Sequence, residues 1–371
     1  MPAFVSVAIG LVVLGAITIQ RTLASRGIEF GFGYLSKASG FNIAEGLSPT
    51  WNGWWPTFEG ASSASTNAAM MAAGLFNSIK VALLAIIFST IIGVGFGVAR
   101  LSSNWLIRNL AFTIGEFIRN TPLLIQLMFW YFAVMLRISP VTAITNVHKW
   151  FVAGQSGVFL PLPQLSESVG PVSAALVAVG AILLVAACLR RFPARRRLAL
   201  LSAGLCAVGA SYATGFRIDL DLPVLGRFGA TGGIQLTAEM SAILLAIVIN
   251  SAAYIAEIVR GAIEGLPKGQ WEAAAALGLS RRDTIRDVIL PQVFRIILPS
   301  LGNRYISLTK DTSIGIAIGF PDLFNVSGTV ANQTGRDLET VLIVMVMYLL
   351  LSWVISAFIN TLNRRILTGA R

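Results

Sequence analysis

Long apolar runs, each close to the length of a membrane-crossing helix, recur along the chain. A spanning helix needs roughly twenty apolar residues, whereas the strands of a transmembrane barrel alternate over about ten. Because the runs here are continuous, the pattern predicts an all-α integral membrane helix bundle with about eight transmembrane helices. The predicted spans are residues 3–20, 79–99, 121–137, 172–188, 198–214, 238–257, 296–319 and 340–360.

The first apolar run, at 3–20, could also be read as a signal peptide. A secretory signal normally begins with basic residues, and none precedes this run. We therefore expect it to be retained as a first helix.

Composition and charge agree with a membrane protein. The mean hydropathy is +0.75 and only 12% of the residues are charged, although the net charge is +11. The Lys and Arg residues do not form a basic patch with interleaved aromatics, so nucleic acid is not an expected partner. Most of them fall in alternate loops, which by the positive-inside rule places both termini in the cytoplasm.

One polar stretch, EGLPKGQWEAAAALGLSRRDTIRDVILP at 264–291, interrupts the apolar pattern on the predicted cytoplasmic side. Pro267 suits the first turn of a helix, where no backbone N–H is needed. The residues after it are dominated by alanine, the best helix former, and Gly278 suits the left-handed position that ends a helix. The stretch therefore predicts a short, rigid helix.

A second helix is predicted to follow at once. Ser280 can cap its first turn, where Asp283 is favoured by the helix dipole. Apolar residues at 285, 288 and 289 share one face, and Pro291 is expected to end the unit before the next span. The alternative is an ordinary folded loop. The small side chains, with Trp271 and Glu272 as anchors, favour a helix that docks on a partner.

The sequence of this insert resembles the EAA loop of permease subunits of bacterial ABC importers. The matching residues are Glu272, Ala273, Ala274, Gly278, Leu290 and Pro291, and Val288 stands where isoleucine is usual. Three further segments resemble the polar amino acid branch of that family. They are GEFIRNTPLLIQLMFWYF at 115–132, YIAEIVRGAIEGLPKGQ at 254–270 and SLTKDTSIGIAIGFPDL at 307–323.

The resemblance implies the five-helix core of a type I ABC importer permease, with a MetI-like fold and three additional helices. The core would comprise residues 70–140 and 238–365. Residues 1–69 would add an N-terminal helix and a periplasmic segment, and residues 141–237 would insert two more helices. This layout is similar to the larger permeases of general L-amino acid and glutamate, glutamine, aspartate and asparagine importers.

The resemblance also implies that the insert couples the membrane helices to a separate ATPase. The implied coupling residues are Trp271, Glu272, Ala273, Ala274, Gly278, Leu279 and Pro291. The chain has no GxxxxGK[S/T] phosphate loop, so we expect it to bind no cofactor, with ATP and Mg²⁺ on the ATPase. The expected partners are an ABC ATPase dimer, a second homologous permease subunit in a heterodimer or homodimer, a periplasmic amino acid-binding protein and membrane lipid of the bacterial inner membrane.

Polar residues inside the predicted spans are candidates for a substrate pathway, because polar groups are costly at membrane depth. The candidates are Asn250, Tyr254, Thr309, Lys310, Asp311, Thr312 and Ser313. An amino acid carries an ammonium and a carboxylate, so Asp311 and Lys310 could each bind one end of the substrate. Alternatively, these two residues bond to neighbouring helices or pack against a second permease subunit.

Two further pairs stand at helical spacing. Glu116 and Arg119 lie one turn apart just before Pro122, and they either brace a cytoplasmic gate or satisfy each other. Gly93 and Gly97 form a GxxxG pattern that predicts a close helix contact.

Two other classes of protein are alternatives, a secondary transporter and an intramembrane enzyme. A secondary transporter driven by an ion gradient would lack a docking helix and work without an ATPase. An intramembrane enzyme would need a nucleophilic or metal-binding group of residues, and the chain has one His and two Cys, with no metal-site pattern. The sequence favours an importer permease.

Overall fold

The computed structural model describes residues 18, 30–51, 56–139, 152–165, 171–188, 193–216, 218–226 and 229–368. The predicted span at 3–20 lies outside these residues, apart from Thr18. The chain divides into two compact units, one formed by 1–134 with 239–371 and the other by 135–238.

The helices and strands occur in separate groups along the chain. In chain order, the α-helices are α1 (Asn67–Arg100), α2 (Trp105–Asn120), α3 (Leu123–Met128), α4 (Pro171–Cys188), α5 (Ala194–Ala213), α6 (Ala238–Glu264), α7 (Lys268–Ala276), α8 (Arg281–Asp283), α9 (Leu290–Asp311), α10 (Leu323–Thr334) and α11 (Asp337–Thr368). The strands are β1 (Leu47–Trp51), β2 (Pro56–Gly60), β3 (Val152–Gly154), β4 (Gly157–Leu160), β5 (Leu162–Leu165), β6 (Ile218–Asp221), β7 (Val224–Gly226), β8 (Gly229–Thr231) and β9 (Ile234–Leu236).

Among the described residues, three helices are long and apolar enough to cross a bilayer: α1, α6 and the Asp337–Arg364 part of α11. The helical run Arg281–Ile318 and α10 meet at a bend of 53°, and they would add a fourth crossing if they form one broken span rather than a re-entrant loop. The third and fourth predicted spans correspond to shorter apolar helices, Leu123–Arg137 and Ala175–Ala187. The number of eight spans is therefore not confirmed.

The glycines of the GxxxG pattern pack α1 directly against α6. A Cβ on Gly93 would lie 2.7 Å from the Ile255 Cβ, and one on Gly97 would lie 2.8 Å from the Val259 Cβ. Real Cβ atoms do not approach so closely, so only glycine permits this separation of the helices. The predicted helix contact is confirmed.

The prediction that Pro291 ends the polar unit is wrong, because the chain passes through it as a continuous helix. A π-helical stretch, Thr284–Ile289, joins α8 to α9, and Pro291 lies in the first turn of α9. Proline has no N–H to donate and its ring crowds the carbonyl four residues earlier. The wider π turn just before it accommodates both defects.

The helix α9 leads into a 3-10 turn, Thr312–Ile318, that ends at Gly319 with φ +77°. This left-handed glycine lets the chain turn towards α10, whose first turn is capped by Asp322 accepting from the Asn325 N–H at 2.9 Å. The predicted span at 296–319 thus begins earlier, at Leu290, and changes helix type before it ends.

The smaller unit combines a helical hairpin with short antiparallel strands. The helices α4 and α5 approach closely at two glycines: a Cβ on Gly180 would lie 2.8 Å from Val208, and one on Gly204 would lie 2.9 Å from Leu184. The strands form a sheet of order β3-β4-β9 and the pairs β5-β6 and β7-β8. In the larger unit, β1 pairs with β2.

Candidate functional site

The helix α7 is a capped structural unit on the stretch that resembles an EAA loop. Pro267 precedes its first residue, and Gly278 follows its end with φ +71°. The Gly278 N–H donates to the Ala275 carbonyl at 3.0 Å, and the Leu279 N–H donates to the Ala274 carbonyl at 3.1 Å. These are the two hydrogen bonds of a Schellman motif, which satisfies carbonyls left free at a helix end. The predicted helix and its glycine stop are confirmed.

Most side chains of α7 are exposed. Trp271, Glu272 and Ala273 are exposed, and just beyond the helix Leu277 and Leu279 are exposed as well, Leu277 by 79%. Ala274 is the buried exception. Apolar side chains presented together on a surface outside the apolar spans commonly mark a protein interface.

The second helix of the polar stretch begins as predicted. The Ser280 hydroxyl oxygen accepts from the Asp283 N–H at 3.2 Å and donates to the Asp283 carboxylate at 2.6 Å. Of its predicted apolar face, Ile289 is buried and Val288 partly buried, whereas Ile285 is 36% exposed. Ile285, which lies in the π stretch, is thus the member of the predicted apolar face that is turned away from the core.

Two sets of contacts attach α7 to the helices beside it. The Gln292 side chain donates to the Gln270 side chain at 2.9 Å, which links α9 to α7. Leu266, in the short connection between α6 and α7, belongs to an apolar cluster with residues of α6, the π stretch and α9. The cluster consists of Ile255, Val259, Ala262, Leu266, Ile289, Val293, Ile297 and Leu301. The helix α7 is therefore attached to α9 by a hydrogen bond and to α6 through the short connection that contains Leu266.

The pair Glu116 and Arg119 lies in a group of charges at the α7 end of the larger unit. The two side chains contact each other. Glu116 also lies 3.8 Å from Arg100 at the end of α1, and Arg119 lies 3.7 Å from Glu257 of α6. Glu116 and Arg119 therefore pair with residues of other helices as well as with each other, and they join the ends of α1, α2 and α6.

A second polar group lies between α6 and α9 and is centred on Arg304. The Arg304 guanidinium donates to the Asn250 side chain at 2.9 Å and to the Ser251 hydroxyl at 2.8 Å. The Asp311 carboxylate lies 3.5 Å away, and the Tyr254 ring stacks at 4.6 Å from the guanidinium carbon. Three predicted pathway residues thus surround a cation that was not among the predicted ones.

The other predicted pathway residues point elsewhere. Lys310 and Ser313 line an open cavity of about 480 Å³ between α9 and α11, away from Arg304. Thr309 and Thr312 are buried and donate to backbone carbonyls, those of Tyr305 at 2.8 Å and of Thr309 at 2.9 Å. Adjacent helical residues face directions about 100° apart, so Lys310 and Asp311 do not face one site.

Sequence reasoning missed Arg304, Arg100 and Glu257. A signal for Arg304 was present, because an arginine inside an apolar span needs a partner. For Glu257, the signal was the acidic-basic spacing it shares with Arg260, the same spacing as in Glu116 and Arg119. Within the described residues, His, Cys, Asp and Glu form no group of three that could hold a metal ion.

Comparisons with known proteins identify the family. Residues 85–368 match the family model described as "Binding-protein-dependent transport system inner membrane component". The general L-amino acid transport system permease protein AapQ of Rhizobium johnstonii is 37% identical over 92% of this chain and 85% of its own length. The glutamate/glutamine/aspartate/asparagine transport system permease protein BztB of Rhodobacter capsulatus is 32% identical over 93% and 87%, respectively.

A solved structure supports the same fold. The structure titled "Crystal structure of an amino acid ABC transporter with histidines" covers 80% of this chain and 94% of its own, with a TM-score of 0.50 and 23% identity. At this identity the likeness concerns the fold alone. The family match covers most of the chain, and so the protein belongs to the family of inner membrane components of binding-protein-dependent transport systems.

Proposed function

We propose that this chain is the permease subunit of an ATP-driven importer of L-amino acids and that α7 is its docking helix for the ATPase. The observation that carries the docking assignment is α7 itself, a capped helix with exposed apolar side chains that is attached to two long helices. The substrate class rests on the relatives, whose names specify amino acids.

The geometry of α7 suits the transmission of force from a partner. A displacement of α7 acts on α9 through Gln270 and Gln292 and on α6 through the apolar cluster. The same two helices carry Asn250 and Arg304, which contact each other across them. Movement of the docking helix would therefore rearrange the polar group between α6 and α9.

That polar group is the best-supported part of a substrate pathway. Arg304 presents a planar cation of the kind that binds carboxylates through two N–H groups, and Asp311 beside it presents an acceptor for an ammonium. These two charges are the complement of an α-amino acid. Arg304 and Asp311 therefore replace Lys310 and Asp311 as the pair proposed to contact both ends of the substrate.

The remaining partners follow from this assignment. ATP and Mg²⁺ bind the ATPase dimer, an external amino acid-binding protein delivers the substrate, and a second permease subunit completes the pathway. The α7 end of the larger unit then faces the cytoplasm, together with both termini, as the distribution of Lys and Arg favours.

The test is reconstitution of the chain in liposomes with its ATPase, binding protein and second permease. The wild-type complex is expected to hydrolyse ATP faster when the loaded binding protein is present and to accumulate amino acid. Glu272→Arg reverses an exposed charge on α7, and Gly278→Asp places a negative charge at the C-terminal end of α7, where the helix dipole disfavours it. Both variants are expected to lose the stimulation and the uptake. Both purified variants should retain the wild-type melting temperature.

Normal uptake by both variants would refute the assignment of α7. Uptake driven by an ion gradient in liposomes that contain no ATPase would instead support a secondary transporter.

A further inference from the structure

Glu257 lies at the centre of the charge group where α1, α2 and α6 meet. Its Oε2 is 2.6 Å from a terminal nitrogen of Arg100, 3.7 Å from one of Arg119 and 3.3 Å from Nε of Arg260. Arg260 also contacts Glu264, the last residue of α6. One carboxylate therefore connects arginines from three helices.

The group is partly removed from solvent. The Arg100 side chain is only 5% exposed, and its guanidinium carbon lies 5.4 Å from the centre of the Phe112 ring. A charge as buried as that of Arg100 becomes unfavourable when its partner leaves. Arg119 of α2, and Arg100, which also approaches Glu116 and Phe112 of α2, are both paired with Glu257.

The opposite face of the same helical segment is apolar. Ile255, Val259 and Ala262 pack against the π stretch and α9, and Leu266 continues this packing to the start of α7. One side of the end of α6 is thus attached to the docking unit and to the glycines of α1, and the other side is attached to Arg100 and to α2. Glu257 lies on the second of these sides.

We propose that Glu257 is a positioning residue that makes the end of α2 move together with α6 when α7 is displaced. This proposal rests on the function proposed above. Without the Glu257 charge, α7 would still displace α6 and α9, and α1 would still follow α6 through Gly93 and Gly97, but the end of α2 would no longer follow. ATP hydrolysis would then continue without opening the pathway.

The test compares Glu257→Gln with the wild type in the reconstituted complex, measuring amino acid uptake, basal ATPase activity and its stimulation by the loaded binding protein. We expect uptake and stimulation to fall at least about tenfold, which corresponds to ~1.4 kcal/mol of coupling, while basal hydrolysis stays within about twofold. The matched control is Glu45→Gln, since Glu45 contacts Lys80 in the N-terminal half of α1, away from the Glu257 group. It should retain uptake.

A double-mutant cycle with Arg100→Gln separates positioning from a general loss of structure. If both residues act through their contact, the double variant should lose no more uptake than Glu257→Gln alone. Additive losses, or wild-type uptake by Glu257→Gln, would overturn the proposal.

The Glu257→Asp variant and the wild-type complex provide two further tests. If Glu257→Gln does not accumulate in the membrane, Glu257→Asp keeps the charge and withdraws it from Arg100, and full uptake by that variant would equally overturn the proposal. A wild-type complex that shows no stimulation at all would refute the proposed function, which distinguishes that failure from failure of the Glu257 assignment.

Discussion

Replacing Gly278 by alanine should loosen the end of the docking helix without disturbing any neighbour. Gly278 has φ +71°, and a Cβ built there meets nothing within 4 Å. The cost is therefore one of backbone conformation alone, roughly 1–2 kcal/mol for a left-handed residue with a Cβ. Because the Schellman hydrogen bonds to Ala274 and Ala275 depend on this conformation, the cost falls on the end of α7.

That free energy corresponds to a change of roughly 5- to 30-fold in the ratio of formed to frayed helix end. Hydrogen exchange of peptides covering 268–280 should reveal it as faster exchange at the amides of Gly278 and Leu279. Uptake should decline in the order Gly278, Gly278→Asn, Gly278→Ala, since asparagine tolerates the left-handed region better than alanine does.

The matched control is Gly269→Ala in the first turn of α7, where a Cβ also meets nothing within 4 Å and φ is not positive. This substitution should stabilise the helix by ~0.5–1 kcal/mol, because alanine has less conformational freedom to lose than glycine. The reasoning is refuted if Gly278→Ala exchanges at the wild-type rate, or if Gly269→Ala loosens α7 equally.

Two other substitutions test the helix contacts. Gly97→Ala would place a Cβ 2.8 Å from the Val259 Cβ and should lower the stability of the purified protein by ~1–3 kcal/mol. Gly95→Ala, where a Cβ meets open space, should leave the melting temperature unchanged. Equal melting temperatures for the two variants would contradict the close packing of α1 on α6. Arg304→Gln leaves Asp311 without its cation, so amino acid uptake should fall by about tenfold or more. Arg304→Lys should restore only part of the uptake, because lysine lacks the planar guanidinium. Full uptake by Arg304→Gln would show that this polar group is not part of the substrate pathway.

Local features were predictable from the sequence because their causes are local. The cap by Ser280 and the stop at Gly278 depend on residues within one or two turns, and both are present. Pro291 shows the limit of such reasoning. Proline usually ends a helix, but the π stretch before it removes the conflict, and no simple sequence rule specified that stretch.

The contacts between helices within the two polar groups could not be predicted from the sequence, because their residues are far apart along the chain. Arg304 meets Asn250 and Ser251 only because α9 packs against α6, more than fifty residues away along the chain. In the same way, Glu257 meets Arg100 only after α1 has packed on α6 through its glycines. Periodicity identifies helices, but it does not specify which faces meet, and the roles assigned to the predicted coupling and pathway residues stay predictions.

The π stretch between α8 and α9 determines how the polar unit is oriented relative to α9. Adjacent residues in an α-helix are offset by about 100° around its axis. Deleting or inserting one residue in Thr284–Ile289 would therefore rotate α7 and α8 by about that angle relative to α9. It would also separate Gln270 from Gln292. The length of this segment, rather than its residue types, therefore sets the direction in which α7 faces relative to α9.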